Sequence, residues 1–112
     1  MSRDQTTLLD IARAARLASD FVNGMDQDAF LRDRKTQSAV VHQLLLLGEA
    51  VKRLSADFRS GHGEIPWALI AGMRDKLIHA YDEVDLDEVW KTVERDIPDL
   101  ITKIDSLLPE ED

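Results

Sequence analysis

Cysteine is absent from the 112 residues, which excludes disulfide frameworks and thiolate metal sites and suits a reducing cytoplasm. Glycine and proline number only five and three, and aromatics make up 5% of the chain. That scarcity argues against a β-sandwich, while the 44% hydrophobic content argues against a disordered tail. Long apolar runs are missing too. No run, Leu44–Leu47 included, comes near the roughly 20 residues a membrane-spanning helix needs, and the opening MSRDQTTLLD has no apolar core of the signal-peptide kind. Positive charge is in short supply: 14 Lys/Arg stand against 22 Asp/Glu, a net charge of −8. The deficit is lopsided, with 8 basic and 7 acidic residues in 1–53 but 6 and 15 in 54–112. A broad acidic surface repels nucleic acid, so any RNA-handling site has to be local, or the acidic half meets a basic partner. Arg32, Arg34, Lys35, Lys52 and Arg53 offer such a local basic rim. No acidic cluster has convincing metal-ligand spacing, so neither a metal nor a cofactor is expected.

What the chain has is helical periodicity. A first helix is predicted from about Asp4 to Val22, with Leu8, Ile11, Ala15, Ala18 and Val22 on one stripe and Gly24 as a stop. A short helix capped by Asp26 carries Phe30 and Leu31. A long third helix is predicted from about Arg34 to Phe58, because Val40, Leu44, Leu47, Val51, Leu54 and Phe58 recur at spacings of four and three. Gly61, Gly63 and Pro66 mark a loop, and Pro66 opens a fourth helix running to about Tyr81. The fifth starts at a box of Asp85 and Glu88, with Val84 stapling to Val89, and continues through Leu86, Trp90, Val93, Ile97, Leu100, Ile104 and Leu107. Pro98 predicts a bend there rather than a break. Together these segments predict an all-α protein: an antiparallel up-and-down four-helix bundle with a short extra helix, in one domain over residues 1–112.

The chemistry concentrates in Arg74–Tyr81, RDKLIHAY. Arginine offers phosphate a planar, always-charged set of donors, and histidine, with an ordinary pKa of about 6.5, can take and give a proton near neutral pH. At 100° per residue, Trp67, Ile70, Ala71, Leu77, Ile78 and Tyr81 lie within about 60° of Arg74. Arg74 therefore sits in the middle of an apolar face and must find a carboxylate, a carbonyl or a phosphate, since an unpaired buried charge is costly. An internal ion pair that fixes helix packing accounts for it as well as a phosphate does. His79 lies about 140° round, with Asp75 one turn before it and placed to hydrogen-bond its ring. Gly72 and Ala68 on that side would admit a close neighbour. Arg74 and His79 diverge on one straight helix, so sharing a phosphate requires a reaching arginine, an irregular helix or two motifs meeting across a symmetric interface.

The third helix favours the interface. His42, Leu46, Glu49 and Arg53 form a second stripe on its outward side, and a leucine there suggests burial against a partner. Glu49 and Arg53 are expected to pair at i, i+4, and Glu49 is alternatively placed to orient motif groups. A two-fold dimer with a cleft at the junction follows.

The chain resembles HEPN-domain proteins of the HepT type through SRD…LLDI, TQSAVVHQLLLLGEAVKRLS, IPWALIAGMRDKLIHAY and VDLDEVWKTVERDIPDL. Within them R-x4-H-x-Y is met by Arg74, His79 and Tyr81; Ala80 stands where many relatives carry an acidic residue. The resemblance implies an all-α cytoplasmic homodimer, the toxin of a toxin–antitoxin pair, acting as a metal-independent endoribonuclease. It further implies a cognate minimal nucleotidyltransferase antitoxin that neutralises the toxin by AMPylation of the motif tyrosine, here Tyr81. Arg74, His79 and Asp75 are then the expected catalytic set, with Glu49 in support. The alternative is a non-catalytic helical module that binds a nucleotide or scaffolds the nucleotidyltransferase.

Overall fold

The computed structural model describes residues 2–79 and 83–108, and these are helical with short turns between. Seven α-helical segments follow in order: α1 Arg3–Phe21, α2 Gln27–Leu31, α3 Arg34–Arg53, α4 Ala56–Gly61, α5 Trp67–His79, α6 Leu86–Lys91 and α7 Ile97–Asp105, with a π-helical turn, Thr92–Asp96, joining the last two. The fold is the expected all-α bundle, in which α1, α3, α5 and the α6–α7 run are the four substantial helices.

Local chemistry sets most boundaries. Ser2 caps α1 by accepting from Gln5 N, while the Gln5 side chain accepts from Ser2 N at 2.8 Å, a reciprocal capping box that starts the helix at Arg3, one residue before the predicted Asp4. Gly24, at φ +80°, takes the left-handed conformation after α1. Asp26 caps α2 through Ala29 N at 2.9 Å. Asp85 caps α6 through the amides of Asp87 and Glu88, whereas the Glu88 carboxylate turns to Lys91 at 3.8 Å and leaves the expected box half made.

The third helix is shorter than its apolar spacing suggests. It ends at Arg53; Leu54 turns extended, with ψ 143°, and Ser55 caps the separate helix α4 by accepting from Phe58 N. The break is anchored from α1, because Asp4 accepts from both the amide and the hydroxyl of Ser55 at 2.9 and 2.8 Å. Leu54 remains buried through the break, so the core stripe survives while the helix beneath it does not. The fold thus has two short extra helices, α2 and α4.

The fifth segment continues through Pro98. Its irregularity is the π turn just before the proline, where Ile97 N bonds back to Thr92 O, five residues earlier. Widening the helix relieves the clash that proline imposes on the preceding turn.

One buried cluster joins α1 (Leu8, Ile11, Ala15, Ala18), α3 (Val40, Leu44, Leu47, Val51) and the final segment (Val93, Ile97, Leu100, Ile104). Phe30 is fully buried, its ring centroid 5.5 Å from that of Trp90. Helix α1 packs on α3 and α7, whereas α5 rests chiefly on α3. An apolar groove of about 560 Å³ therefore opens between α5 and the α6–α7 run, floored by Leu44, Leu47 and Leu100. Among the described residues no helix is long and apolar enough to cross a membrane.

Candidate active site

Helix α5 begins where Trp67 N bonds Ile65 O and the indole donates to His62 O at 2.9 Å. Buried Trp67 and Leu77 hold it to the body of the protein. Between them Arg74 meets α3 at Gly48, where an added Cβ would overlap Arg74 Cβ and lie 2.8 Å from Cγ. The bare glycine lets the arginine stem run against the α3 backbone, so the apolar face tolerates a charged residue whose head emerges at the rim.

That head finds two carboxylates. One terminal nitrogen, NH2, lies 2.9 Å from Glu49 Oε2, and the other, NH1, donates to Asp75 Oδ1 at 3.0 Å. The Arg74 side chain keeps 24% exposure, so the guanidinium is partly open to solvent while its Nε is buried with no hydrogen-bond partner among the described residues. Of the alternatives the sequence left open, the free protein adopts an ion pair, at the surface rather than in the core.

Glu49 thus reaches the motif and does not pair with Arg53. Arg53 turns instead to Asp10 of α1 at 3.5 Å, because α1 brings a carboxylate to Arg53 while α5 brings an arginine to Glu49.

Asp75 differs from expectation as well. No hydrogen bond ties it to His79; its Oδ1 accepts from Lys52 Nζ at 2.5 Å and from Arg74. Lys52, in the last turn of α3, takes the carboxylate with an ammonium charge brought in from the neighbouring helix. The Lys52 bond, and then the Arg74 bond, hold the Asp75 carboxyl below the ordinary carboxylate range. Lys52 was visible in the sequence only as one of several basic rim residues. Its link to Asp75 depends on how α3 and α5 pack, which periodicity does not give.

His79 closes α5 and is exposed. By helix geometry it stands about 7.5 Å further along the axis than Arg74 and about 140° round, so the two groups diverge along the helix as the sequence indicated. Tyr81 lies outside the described residues. On the outward side of α3, His42 is exposed and Leu46 is 45% exposed, as the second stripe predicts. Ala68 and Gly72 line the groove, and nothing lies within 4 Å of where a Gly72 Cβ would be. Among the described residues no group of three or more His, Asp or Glu side chains is placed to hold a metal ion.

The whole arrangement comprises an arginine at the rim, two carboxylates and a lysine around it, and an exposed histidine on the same helix. These are groups of the kinds that bind an anion and move a proton. Comparisons with known proteins agree in kind. A family model described as "Ribonuclease HepT-like" matches residues 11–107. A Thermococcus cleftensis protein named "Probable ribonuclease HepT" is 49% identical over 100 residues, covering 89% of this chain and 91% of that protein. Two Methanocaldococcus jannaschii proteins are also similar. One, "Putative RNase MJ0127", is 40% identical over 90% of this chain and 84% of its own length. The other, "Gamma-glutamylcyclotransferase and putative RNase MJ0434", is 35% identical over 91% of this chain but only 46% of its own length. No solved structure matches. With the family model spanning most of the chain and a relative at 49% identity, this protein belongs to the HepT-like ribonuclease family.

Proposed function

We propose that this chain, one HEPN-type domain, is the toxin of a toxin–antitoxin pair and cuts RNA internally without a metal. The observation that carries the reading is Arg74: within a ribonuclease family, the arginine of R-x4-H is held at a partly exposed rim by carboxylates that an RNA phosphate can replace. In the reaction the ribose 2′-hydroxyl loses its proton to a base and its oxygen attacks the adjacent phosphorus. The bond from phosphorus to the 5′-oxygen then breaks, and that oxygen takes up a proton. The products are a 2′,3′-cyclic phosphate and a 5′-hydroxyl. His79 serves as the base or as the acid to the leaving oxygen, and such help contributes roughly 10²–10⁴-fold. Arg74 stabilises charge on the phosphorane. Asp75 and Glu49, both bonded to Arg74, fix its orientation; this assigns Asp75 to the arginine rather than to the histidine.

Two copies related by a two-fold axis bring one protomer's Arg74 and its partner's histidine to a common cleft, with Leu46 of α3 among the surfaces covered. The antitoxin is a minimal nucleotidyltransferase that transfers AMP to the hydroxyl of Tyr81. The added phosphate competes with RNA for the guanidinium at i−7.

Purified protein incubated with total RNA in the presence of a chelator tests this reading. Cleavage leaving 2′,3′-cyclic phosphate ends, lost in Arg74→Ala and His79→Ala and absent on DNA, is the expected result; 3′-hydroxyl ends or dependence on a divalent ion overturn it.

One observation favours a non-catalytic binding module: the two carboxylates already pair both terminal nitrogens of Arg74. Growth inhibition by the wild type that disappears in folded, dimeric His79→Ala decides for the enzyme.

A further inference from the structure

Lys52 Nζ and Arg74 NH1 converge on a single oxygen, Asp75 Oδ1, at 2.5 and 3.0 Å. They arrive from different helices, Lys52 from the last turn of α3 and Arg74 from the middle of α5, and the close approach at Gly48 one turn before Lys52 sets their spacing. We propose that Lys52 is a second phosphate-binding residue, and that in the free protein the Asp75 carboxylate occupies the place a phosphate oxygen of RNA takes between Lys52 and Arg74. The proposal rests on the ribonuclease reading of this site.

Three features support it. First, two cations directed at one anionic oxygen form an anion site: arginine contributes oriented planar donors, and lysine contributes a compact point charge. Second, the present occupant is easily exchanged. Lys52 and Asp75 are 38% and 44% exposed, and ion pairs so open to water contribute little net stability. Asp75 can swing into solvent, and a phosphodiester bears the same single charge.

Third, direction around α5 matters. Asp75 lies about 100° from Arg74 and His79 about 140°. An anion shared by Arg74 and Lys52 therefore sits on the histidine's side of the helix, one turn of about 6 Å below it. Arg74 alone would hold the phosphate well away from that side. Lys52 draws the phosphate subsite round to the face of α5 that carries the histidine, which neither the motif nor its spacing reveals.

The test measures binding of the full chain to an RNA made uncleavable by 2′-O-methylation, across a range of salt, alongside steady-state cleavage of unmodified RNA. Lys52→Ala is expected to weaken binding about tenfold and to reduce the slope of log affinity against log salt by about 0.7, one phosphate contact on a single strand. It should raise KM more than it lowers kcat. Lys52→Arg should restore most of the binding, and Lys91→Ala, removing an equal charge from exposed α6, should leave binding and cleavage intact. The Lys52→Ala loss should persist in an Asp75→Asn background, because Lys52 touches the phosphate itself. An unchanged salt slope, or a loss that vanishes once Asp75 is neutral, overturns the proposal while leaving the ribonuclease reading in place. A wild type that neither binds nor cuts RNA overturns both.

Discussion

Gly48 of α3 and Arg74 of α5 meet so closely that the glycine's missing side chain is the space the arginine stem fills. Replacing Gly48 with alanine places a methyl group on Arg74 Cβ and against the Ile70 carbonyl oxygen, 3.3 Å away, so α5 must shift outward. Overpacking of this kind costs about 1–3 kcal/mol, set against a helix-propensity gain of about 1 kcal/mol for alanine. Gly48→Ala is therefore expected to lower stability in urea unfolding and to misplace Arg74, reducing RNA cleavage beyond the stability loss. Gly72→Ala is the contrast: nothing lies within 4 Å of the new methyl, so stability should rise by about 0.5–1 kcal/mol. Equal effects at the two glycines would contradict the contact.

Acid should weaken the fold through two named carboxylates. Lys52 and then Arg74 hold the Asp75 carboxyl below its usual range, and the Ser55 amide and then its hydroxyl do the same for Asp4. A depressed folded-state pKa means the stabilisation is fully present above the unfolded value of about 3.9 and is lost as pH falls through the folded value. Melting temperature measured from pH 6 downward should fall below about pH 4, less steeply in Asp4→Asn and Asp75→Asn than in the wild type. Parallel curves for wild type and both variants would remove these groups from the account.

The break between α3 and α4 offers a third check. Ser55 both caps α4 and donates its hydroxyl to Asp4, so Ser55→Ala removes a cap and leaves Asp4 without its hydroxyl partner. A loss of about 0.5–2 kcal/mol is expected, with Ser55→Thr recovering part of it. Unaltered thermal unfolding of Ser55→Ala would show that Leu54, buried at the break, holds the turn unaided.

These sites mark how far the sequence could be read. The stripes of α1, α3 and the final segment were legible because burial repeats with the helical period: Ile11, Leu44, Val51, Val93 and Ile104 were all expected inside and all lie there. The break at Ser55 was hidden because Leu54 and Phe58 keep the apolar spacing through it, and the anchoring Asp4 is 51 residues away. Serine followed by acidic Asp57 was the available signal. The π turn before Pro98 was legible as a disturbance but not in kind. At the site, the position of Arg74 on an apolar face demanded a carboxylate, a carbonyl or a phosphate without choosing among them, and Glu49 was within view as one carboxylate. Local spacing failed for Asp75 and Arg53, whose partners Lys52 and Asp10 come from other helices; i, i+4 geometry proposes neighbours, and tertiary packing selects among them.

Arg74→Lys separates charge from geometry. The guanidinium bonds Glu49 through one terminal nitrogen and Asp75 through the other, so its plane is fixed before any ligand arrives. A lysine keeps the charge but not the fork, and its ammonium does not reach both carboxylates in the same orientation. Because Glu49 and Asp75 are 46% and 44% exposed, water screens these pairs and their loss should change stability little. Cleavage, by contrast, depends on donors aimed at charge that develops in the transition state, where a missing donor costs about 10²–10³-fold. Arg74→Lys is therefore expected to melt within a few degrees of the wild type and yet to cleave at a rate close to that of Arg74→Ala. Single-turnover cleavage with the protein in excess measures this without interference from binding. Wild-type rates in Arg74→Lys would reduce the arginine to a bulk positive charge and remove oriented donation from the mechanism.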